Sequence, residues 1–522
     1  MSIKFKSKVF VALGGAIGYR VWYVEKRIKD SLPKNPLLVS GEQKKKAIVI
    51  GAGVAGVSTA YMLGNRGYNV LVLEASNSPA SECSACPAGS ITETVSMFDR
   101  NSWIDVLRSW NPVSSTEQNF FHIKWFSTLS DPHFWRWILI FSYYSIVQPK
   151  SQNINRAEMQ EFTYFAIDRL NAIIDEHSLQ AKCGLNKNGL LYTSHGEVEK
   201  SSNEDHNEIT SNDHKITSND DESCQRLERD EICRIESCIS NWKEKPKSAD
   251  LYKGSNWLTA NSENFTHHLA AISENVLGVK FNFDTKVEAF DVTYKKEENR
   301  QNKVGKIEKI YTNRGFFDID DETEVIIAAG SWTPRILWNL SYFVPIYPMK
   351  GYSVAFDLPE EQSGAHNNLS LDKTDLPTRM IIDKNLYVSR LGNQVRVTSI
   401  GEFAGWETKP DEKINKTFRE QGQKHVPGLL SLFNSTPTRC GLRPQSADGV
   451  IILGRVEGVK NLSLNVGPGQ TGWKLSVGAA SVLAAILDND VEKYSFDHCK
   501  FSPSDKVVRA PFWSMVSRLR WS

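Results

Sequence analysis

Short apolar runs alternate with glycine turns and helical patterns near the start of this chain. Residues 47–50 form a β-branched run of the kind found in buried parallel strands, and glycines follow at once. The apolar positions of residues 54–66 have helical spacing, and residues 68–73 have the composition of a second strand. The pattern therefore predicts a strand, a helix and a strand in direct succession.

The same patterns continue through the rest of the chain. Residues 264–275 have helical spacing, residues 278–287 alternate as one strand, and residues 325–330 form a buried strand that ends in glycine. A strand over 461–466 precedes a glycine-rich turn and a helix over 472–487.

Composition narrows the classes of function. The chain has 522 residues, more than the roughly 250–300 that one hydrophobic core usually supports, so two domains are expected. Lysine and arginine total 62 against 61 aspartates and glutamates, which gives no electrostatic reason to expect a nucleic-acid partner. The eight cysteines are scattered, which favours a reducing compartment over a disulfide framework.

The N-terminal segment is basic and apolar. The first 24 residues contain four lysines and arginines but no acidic residue, and Arg20 interrupts the apolar stretch 9–24. That stretch is shorter than the roughly 20 uninterrupted apolar residues of a membrane span. We expect residues 1–44 to be a leader, foremost a mitochondrial presequence. A plastid transit peptide, an uncleaved membrane anchor, and a leader without targeting function on a cytoplasmic protein are the alternatives.

Two polar stretches interrupt the predicted elements. Residues 197–224 have almost no large apolar group and are expected to be a disordered surface insertion. His195, His206 and His214 lie in or beside it, but their scattered spacing does not match a metal site, so no metal is predicted. The charged run 295–306 is expected to cap a hairpin.

A glycine-rich turn joins the first predicted strand to the first helix. Gly51 permits the tight turn, Gly53 lets the backbone approach a pyrophosphate, and Gly56 lets the helix pack on the strand. Glu74 closes the second strand, where a carboxylate binds ribose hydroxyls and would repel the 2′-phosphate of NADP. The combination predicts a dinucleotide site but does not separate FAD from NAD.

Further short motifs follow in order along the chain. They read ECSACPAG at 82–89, LERDE at 227–231, NFT at 264–266, AAGSWT at 328–333, YPMKGY at 347–352 and GLRP at 441–444, the last followed by Asp448 and Gly449. With these motifs the chain, from about Lys45 to Asp488, resembles the bacterial D-amino acid dehydrogenase family. That family stands within the wider group of D-amino acid oxidases, glycine oxidases and sarcosine oxidases.

The resemblance implies an α/β fold of two domains, like that of p-hydroxybenzoate hydroxylase and the related glutathione reductases. A discontinuous Rossmann-like domain that binds FAD would comprise residues 45–100, 256–335 and 430–495. A substrate domain of the α+β class, built on an antiparallel sheet, would comprise residues 101–255 and 336–429. Residues 496–522 would form a C-terminal tail.

The resemblance also implies which residues hold FAD. The turn 467–472 would supply backbone N–H groups and a positive helix end to the anion that develops on the reduced flavin. The full set comprises Gly51, Gly53, Val54, Ala55, Gly56, Glu74, Ala75, Ser84, Ala85, Ala88, Gly89, Val287, Ala329, Gly330, Gly467, Gly469, Gln470, Thr471 and Gly472.

Two residues are implied as catalytic contacts to the substrate. By the resemblance, Arg443 anchors the substrate carboxylate, and a guanidinium fork suits a planar anion because it offers two parallel charge-assisted hydrogen bonds. Tyr352 would be a second contact to the carboxylate or amine. The alternatives are a structural ion pair for Arg443 and ordinary packing for Tyr352.

The chain departs from the family pattern near the expected substrate. Pro468 stands where the family has histidine, and Thr398 and Ser399 replace two glycines. Both departures lie near the expected substrate face, and they motivate the alternative of a flavin-binding factor with little turnover.

Three cysteines carry further hypotheses. Cys83 and Cys86 form a Cys-x-x-Cys pair, which we expect to pack against FAD, with a redox pair or half of a zinc site as the alternatives. Cys440 is expected to be a buried thiol, with covalent attachment of flavin, as in sarcosine oxidases, as the alternative.

Aromatic and basic residues mix in two segments. Core packing is expected there, and peripheral membrane contact is the alternative, through which electrons could pass to a quinone. The residues are Trp135, Trp137, the run 138–141, and Phe512, Trp513, Arg518, Arg520 and Trp521.

The resemblance implies an enzyme that oxidises D-amino acids to 2-oxo acids and ammonia, by hydride transfer from Cα to flavin N5. Its electron acceptor would be oxygen or a quinone. One alternative is an amine oxidase of the glycine or sarcosine type that produces hydrogen peroxide. Another is an organellar flavin-binding assembly factor with little turnover.

Overall fold

The computed structural model describes residues 45–95, 97, 104, 121–196, 224–296, 303–358, 372–491, 493–504 and 506–509. The helices are α1 Val54–Asn65, α2 Trp125–Leu129, α3 Pro132–Ser142, α4 Pro149–Glu176, α5 Arg229–Ile235, α6 Ser262–Leu277, α7 Thr333–Trp338, α8 Glu412–His425, α9 Leu430–Ser435 and α10 Gly472–Asp488. The first strands are β1 Lys46–Ile50, β2 Asn69–Leu73, β3 Ser90–Thr92, β4 Phe121–Ile123, β5 Leu190–Ser194, β6 Cys224–Glu228, β7 Ser248–Tyr252, β8 Trp257–Thr259, β9 Lys280–Asn282, β10 Val287–Lys296 and β11 Lys303–Thr312. The remaining strands are β12 Gly315–Asp318, β13 Thr323–Ile327, β14 Tyr342–Phe343, β15 Ile346–Asp357, β16 Met380–Asp383, β17 Leu386–Leu391, β18 Gln394–Phe403, β19 Arg439–Ser446, β20 Ile452–Arg455, β21 Leu462–Val466 and β22 Val508–Arg509.

The first of two large sheets is mostly parallel. Its six strands run in the order β20-β21-β13-β1-β2-β9, and β20 is antiparallel to β21. In the parallel part, Ile48 of β1 stands beside Val325 of β13 and Leu71 of β2. The apolar runs of these strands suit a sheet that is covered on both faces.

Each face of this parallel sheet has its own core, because successive side chains of a strand point in opposite directions. Val49 belongs to a core that includes residues of α1, α4, α6 and α10. Ile48 belongs to a second core, together with Phe290, Ile307 and Phe317 from the small sheet β10-β11-β12. The sheet is thus sandwiched between a helical layer and a second β-layer.

The second large sheet is mostly antiparallel and has nine strands. Its main path runs β19-β15-β18-β17-β16-β5-β7-β6, and β4 pairs with β18. The long strand β15 is antiparallel to both of its neighbours, β18 and β19. Val354 of β15 packs with Phe418 of α8 and Phe433 of α9, while Tyr347 packs with Trp137 of α3.

Most predicted elements near the glycine turns are confirmed within a few residues, and so is the hairpin at 295–306, where β10 and β11 pair antiparallel. The single strand predicted over 278–287 is wrong. The chain forms β9 in the parallel sheet, turns at Asp284, and begins β10 at Val287 in another sheet. Asp284 has a left-handed φ of 51°, and the amide of Thr285 donates to the carbonyl oxygen of Glu74 at 2.7 Å. Apolar alternation continues through this turn, so the pattern does not reveal it.

Two of the predicted domain assignments need correction. Residues 430–446 were assigned to the FAD domain, but β19 pairs with β15 along its whole length and therefore belongs to the antiparallel sheet. Helix α4 was assigned to the substrate domain, but its apolar stripe packs on the helical layer of the parallel sheet. The contact is close, since a Cβ on Gly478 of α10 would stand 2.6 Å from Ala166 of α4.

Several sequence-based expectations fall outside the described residues. These are the leader 1–44, most of the insertion 197–224, and His206, His214, Phe512, Trp513, Arg518, Arg520 and Trp521. Cys224, the last residue assigned to the insertion, begins β6. Among the described helices, none combines the length and apolarity needed to cross a membrane.

Candidate functional site

A cavity of about 940 Å³ is lined by residues from both large sheets. This volume is at the upper end of the range typical of small-molecule and cofactor sites, about 300–1,000 Å³. From the parallel-sheet side, its wall contains Gly51, Gly53, Val54, Ala55, Glu74, Ala75, Ala329 and Gly330. From the antiparallel-sheet side, it contains Gly351, Tyr352, Thr398, Ser399 and Arg443. The residues implied for cofactor and for substrate therefore meet around one space.

The turn between β1 and α1 requires glycine for steric reasons. Gly51 has φ +105°, and a Cβ there would stand 2.8 Å from the carbonyl oxygen of Ala328. A Cβ on Gly56 would stand 1.9 Å from the carbonyl oxygen of Gly51, so this glycine lets α1 pack against the turn and lies behind the cavity wall. The amide of Val54 donates to the Ser84 hydroxyl at 3.0 Å, which ties the helix start to the next loop.

Glu74 is held in place at the carboxyl end of β2. Its Oε2 accepts a hydrogen bond from the amide of Ala52 at 2.6 Å, and its Oε1 accepts one from the amide of Ser76 at 2.8 Å. The carboxylate therefore has a fixed orientation at the cavity wall, next to Ala75. A fixed acceptor in this position suits the hydroxyl pair of a ribose.

The loop 82–89 forms a further part of the wall. Ser84, Ala88 and Gly89 line the cavity, whereas Ala85 is buried behind it. The carbonyl of Ser84 accepts from the hydroxyl of Ser262 at 2.7 Å, which anchors this loop to α6.

Residues from two later segments complete the cofactor side. Val287 lines the cavity at the start of β10, as do Gly469, Gln470, Thr471 and Gly472 at the start of α10. Gly467, with φ +79°, turns the chain just behind this wall.

The described cavity fits a flavin dinucleotide. Two helices, α1 and α10, begin at its wall, and the positive ends of their dipoles favour anionic groups such as a pyrophosphate. Glycines 51 and 53 leave room for close backbone approach, since a Cβ on Gly53 would stand 3.2 Å from the Ser84 hydroxyl. Glu74 supplies the carboxylate expected beside a ribose.

Arg443 lies on β19, opposite Met349 of β15. Its guanidinium lies over the neighbouring Gly351, where a Cβ would stand 2.5 Å from Nη2. Gly351 thus leaves the space that the guanidinium occupies at the cavity wall. The arrangement places a cation on the antiparallel-sheet wall of the cavity, where a carboxylate can bind.

Tyr352 has its ring at the cavity wall and its hydroxyl in a buried polar network. The hydroxyl donates to Oε2 of Glu402 at 2.6 Å and accepts from the amide of Asp411 at 2.9 Å. Lys350 Nζ lies 2.9 Å from the same carboxylate oxygen, and both charged side chains are 1% exposed. Burial raises the pKa of Tyr352, so the hydroxyl is neutral. These contacts favour the packing interpretation of Tyr352.

The cysteines near the cavity are protonated thiols. Burial raises the pKa of Cys83 to about 12, although the nearby Arg443 opposes the shift. Burial also raises the pKa of Cys86, and it raises that of Cys440 to about 12. All three are free cysteines, and Cys83 and Cys86 line the cavity while Cys440 lies behind it. Protonated thiols are weak nucleophiles and weak metal ligands.

Sequence reasoning missed one buried lysine at the wall. Lys474, in the first turn of α10, donates from Nζ to the carbonyl oxygen of Thr92 at 2.6 Å and also to that of Thr94. Burial lowers its pKa to about 7, and Glu93 opposes the shift. The available signal was a lone lysine in a largely apolar helix.

A second cation at the wall was also missed. The guanidinium of Arg335 lies 4.4 Å from the ring centroid of Trp406, and burial lowers the pKa of Arg335.

The departures from the family pattern, Pro468, Thr398 and Ser399, line the same cavity. They therefore stand where a bound substrate or flavin would contact them.

Comparison with known proteins gives one family and one fold. The sequence profile of the family described as DAO, FAD dependent oxidoreductase, matches residues 46–486. D-amino acid dehydrogenase 1 of Mesorhizobium japonicum is 26% identical over 459 residues, which cover 85% of this chain and 96% of that protein. D-amino acid dehydrogenase of Granulibacter bethesdensis is 25% identical and covers 87% of this chain and 97% of its own length.

Solved structures share the fold at low sequence identity. Glycine oxidase from Bacillus cereus has a TM-score of 0.52 at 17% identity, covering 89% of this chain and 98% of its own. L-amino acid deaminase from Proteus vulgaris has a TM-score of 0.56 at 14% identity, covering 90% and 99%. Iminodiacetate oxidase from Chelativorans sp. has a TM-score of 0.54 at 17% identity, covering 88% and 99%.

Proposed function

We propose, from the premise that this chain belongs to the DAO family of FAD-dependent oxidoreductases, that it oxidises D-amino acids to 2-oxo acids and ammonia. The observation that carries the proposal is the position of Arg443, on the wall of a cavity whose opposite side fits FAD. The similarity to bacterial D-amino acid dehydrogenases, which covers 85–87% of this chain, supports the same choice of substrate.

Arg443 would bind and orient the substrate. Two charge-assisted hydrogen bonds from its guanidinium to the carboxylate would contribute about 1.5–3 kcal/mol each. Such a fixed carboxylate leaves little freedom to Cα, which lowers the entropic cost of reaching the reactive geometry. When bound, FAD supplies the chemistry of hydride acceptance.

The rest of the antiparallel wall would select the side chain of the substrate. Tyr387, Ile382 and Tyr192 line the same cavity as Thr398 and Ser399, so this wall includes aromatic and aliphatic side chains. A surface of this kind favours apolar D-amino acids over charged ones, because a charged side chain would lose its hydration there without a partner.

The proposal extends to the electron acceptor and to the cellular location. The electron acceptor is oxygen or a membrane quinone. The basic, apolar character of residues 1–44 supports a mitochondrial location. Hydrogen peroxide measured during aerobic turnover, set against reduction of a soluble quinone analogue, separates the acceptors, and fractionation of cells that express the tagged full chain tests the location.

The experiment for the proposal is anaerobic reduction of the purified full chain. Its absorbance near the flavin maxima would be followed during titration with D-alanine, D-proline, L-alanine, glycine and sarcosine. Bleaching by the D-amino acids and not by L-alanine is the expected result. Bleaching by glycine or sarcosine alone would replace the proposal with the amine oxidase alternative. A yellow protein that none of these compounds reduces would contradict it and favour the assembly factor.

A further inference from the structure

Exposed apolar side chains are concentrated in one segment of the molecule. Of the eleven large apolar residues that are exposed in the described ranges, eight lie between residues 126 and 154. We call these eight the apolar surface: Phe126, Leu129, Trp135, Leu139, Tyr143, Ile146, Val147 and Ile154. Phe126 is 92% exposed and Leu139 is 67% exposed. Large exposed apolar patches often mark sites that bind a protein or a membrane.

The packing of helix α3 into the core does not require these exposed apolar residues. Its inner face already packs against the antiparallel sheet, where Trp137 stacks on Phe141 with ring centroids 5.3 Å apart and donates to the carbonyl of Gln445 at 2.9 Å. Trp135 and Leu139 stand four residues apart on the outer face. A helix at a water-exposed surface normally has polar residues on that face.

The charged residues of this segment are mostly basic. Asp131 is the sole acidic residue between positions 121 and 157. It is only 6% exposed, and its carboxylate accepts hydrogen bonds from the amide of His133 and the hydroxyl of Tyr347. The basic residues of the same stretch are Lys124, Arg136, Lys150 and Arg156, of which both lysines are exposed. The surface therefore combines exposed apolar groups with positive charge, and it is complementary to an anionic, apolar partner.

The composition of this segment favours a bilayer surface as that partner. Exposed apolar side chains flanked by tryptophan, tyrosine and lysine are typical of elements that lie in the membrane interface. In such elements the apolar face is buried by about 5–10 Å at the boundary between headgroups and acyl chains.

We propose that the apolar surface binds an anionic lipid bilayer. Phe126, Leu139, Ile146 and Val147 insert between the headgroups, and Lys124 and Lys150 contact the anionic phosphates. The surface adjoins the candidate active site, because Phe121, which lines the cavity, belongs to the strand just before α2. Lipid binding does not depend on which amino acid the enzyme oxidises.

The test is co-sedimentation of the full-length holoprotein with vesicles. Vesicles of phosphatidylcholine alone and of phosphatidylcholine with phosphatidylserine would be compared for the wild type and for the triple variant F126S/L139S/I146S. The matched control is Val276→Ser, which removes an apolar side chain that is 72% exposed on α6, away from this surface. Flavin absorbance and thermal unfolding report whether each variant is folded.

The expected result is binding of the wild type to the anionic vesicles, with partitioning at least tenfold weaker in the folded triple variant and unchanged in Val276→Ser. A second variant, Lys124→Glu with Lys150→Glu, is expected to weaken binding several-fold on the anionic vesicles alone. Equal partitioning of wild type and triple variant would overturn the proposal, since another part of the chain would then carry the binding. A dimer that the triple variant abolishes, without vesicle binding by the wild type, would overturn it in favour of self-association.

Discussion

Apart from the Glu74 carboxylate, the parallel-sheet side presents mainly backbone to the cavity, whereas the antiparallel sheet presents side chains. On the first side the decisive features are a left-handed turn at Gly51 and the beginnings of α1 and α10. On the second side they are the guanidinium of Arg443 and the rings of Tyr352 and its neighbours. One wall suits a cofactor that many proteins share, and the other can vary with the substrate.

The two walls also differ in how the chain assembles them. The glycine turn, Glu74 and the loop 82–89 come from residues 51–89, within a single stretch of sequence. Arg443 reaches its position because β19 pairs with β15, although more than eighty residues separate these two strands in the sequence. Residues close in sequence form this part of the first wall, whereas long-range strand pairing positions Arg443 on the second.

The largest expected effect is on the backbone wall. Gly51→Ala places a Cβ 2.8 Å from the carbonyl oxygen of Ala328 at a φ of +105°, so the turn must shift. We expect FAD affinity to fall by about 100-fold, the equivalent of about 2.7 kcal/mol, as measured by fluorescence titration of the apoprotein.

Gly67→Ala is the matched control for this variant. Gly67 also has positive φ, +81°, but a Cβ there meets nothing within 4 Å. The Gly67→Ala variant introduces backbone strain without a clash at the cavity, so its FAD affinity should equal that of the wild type. Equal loss of FAD in both variants would mean that general instability, not the shape of the turn, controls binding.

A smaller effect is expected from Lys474, in the first turn of α10 on the cofactor side of the cavity. Its folded-state pKa of about 7 is below the unfolded value of about 10.4. Between these values the unfolded chain binds more protons, so this lysine makes stability rise with pH and fall as pH drops towards 7. We expect the free energy of unfolding of the holoprotein to rise by about 2 kcal/mol more in the wild type than in Lys474→Met between pH 7 and pH 9.

Urea unfolding at the two pH values measures this difference. Lys416→Met, which removes a lysine whose side chain is 79% exposed on α8, is the control and should behave as the wild type does. Parallel pH dependence in the wild type and Lys474→Met would show that the lysine is not the titrating group.

The smallest effect is expected on the side-chain wall at Tyr352. Tyr352→Phe removes the hydroxyl bound to Glu402 and Asp411 but keeps the ring at the cavity. We expect a loss of about 1 kcal/mol in stability and a change in kcat/KM of less than about threefold. A KM for D-alanine raised tenfold or more, at unchanged stability, would instead support the substrate contact that the sequence motif suggests.

The sequence predicts much of the backbone wall because the glycine turn, Glu74 and the loop 82–89 follow one another in a single stretch. Gly51 and Gly56 are required by contacts within a few residues or with the adjacent strand, and apolar runs identify the strands around them. The break at Asp284 was missed because the apolar alternation continues across it. The assignment of β19 was missed because only pairing with β15 shows which sheet it joins.

The less predictable features depend on burial, which periodicity does not give. Lys474 is the one basic residue in a largely apolar helix, and its significance comes from the carbonyl groups of Thr92 and Thr94 brought to it by the fold. Trp135 and Trp137 stand two residues apart in the same aromatic and basic segment, yet Trp137 is fully buried and Trp135 is 49% exposed. The apolar surface therefore emerges from the three-dimensional packing and not from the residue pattern.

The most direct test of the account is the anaerobic rate of flavin reduction by D-alanine in the wild type, Arg443→Lys and Arg443→Leu, each at equal FAD content. The account predicts that both variants retain FAD, that Arg443→Leu loses at least about a hundredfold in the rate at low substrate concentration, and that Arg443→Lys falls between it and the wild type. A reduction rate in Arg443→Leu equal to that of the wild type would contradict the assignment of this wall to the substrate carboxylate.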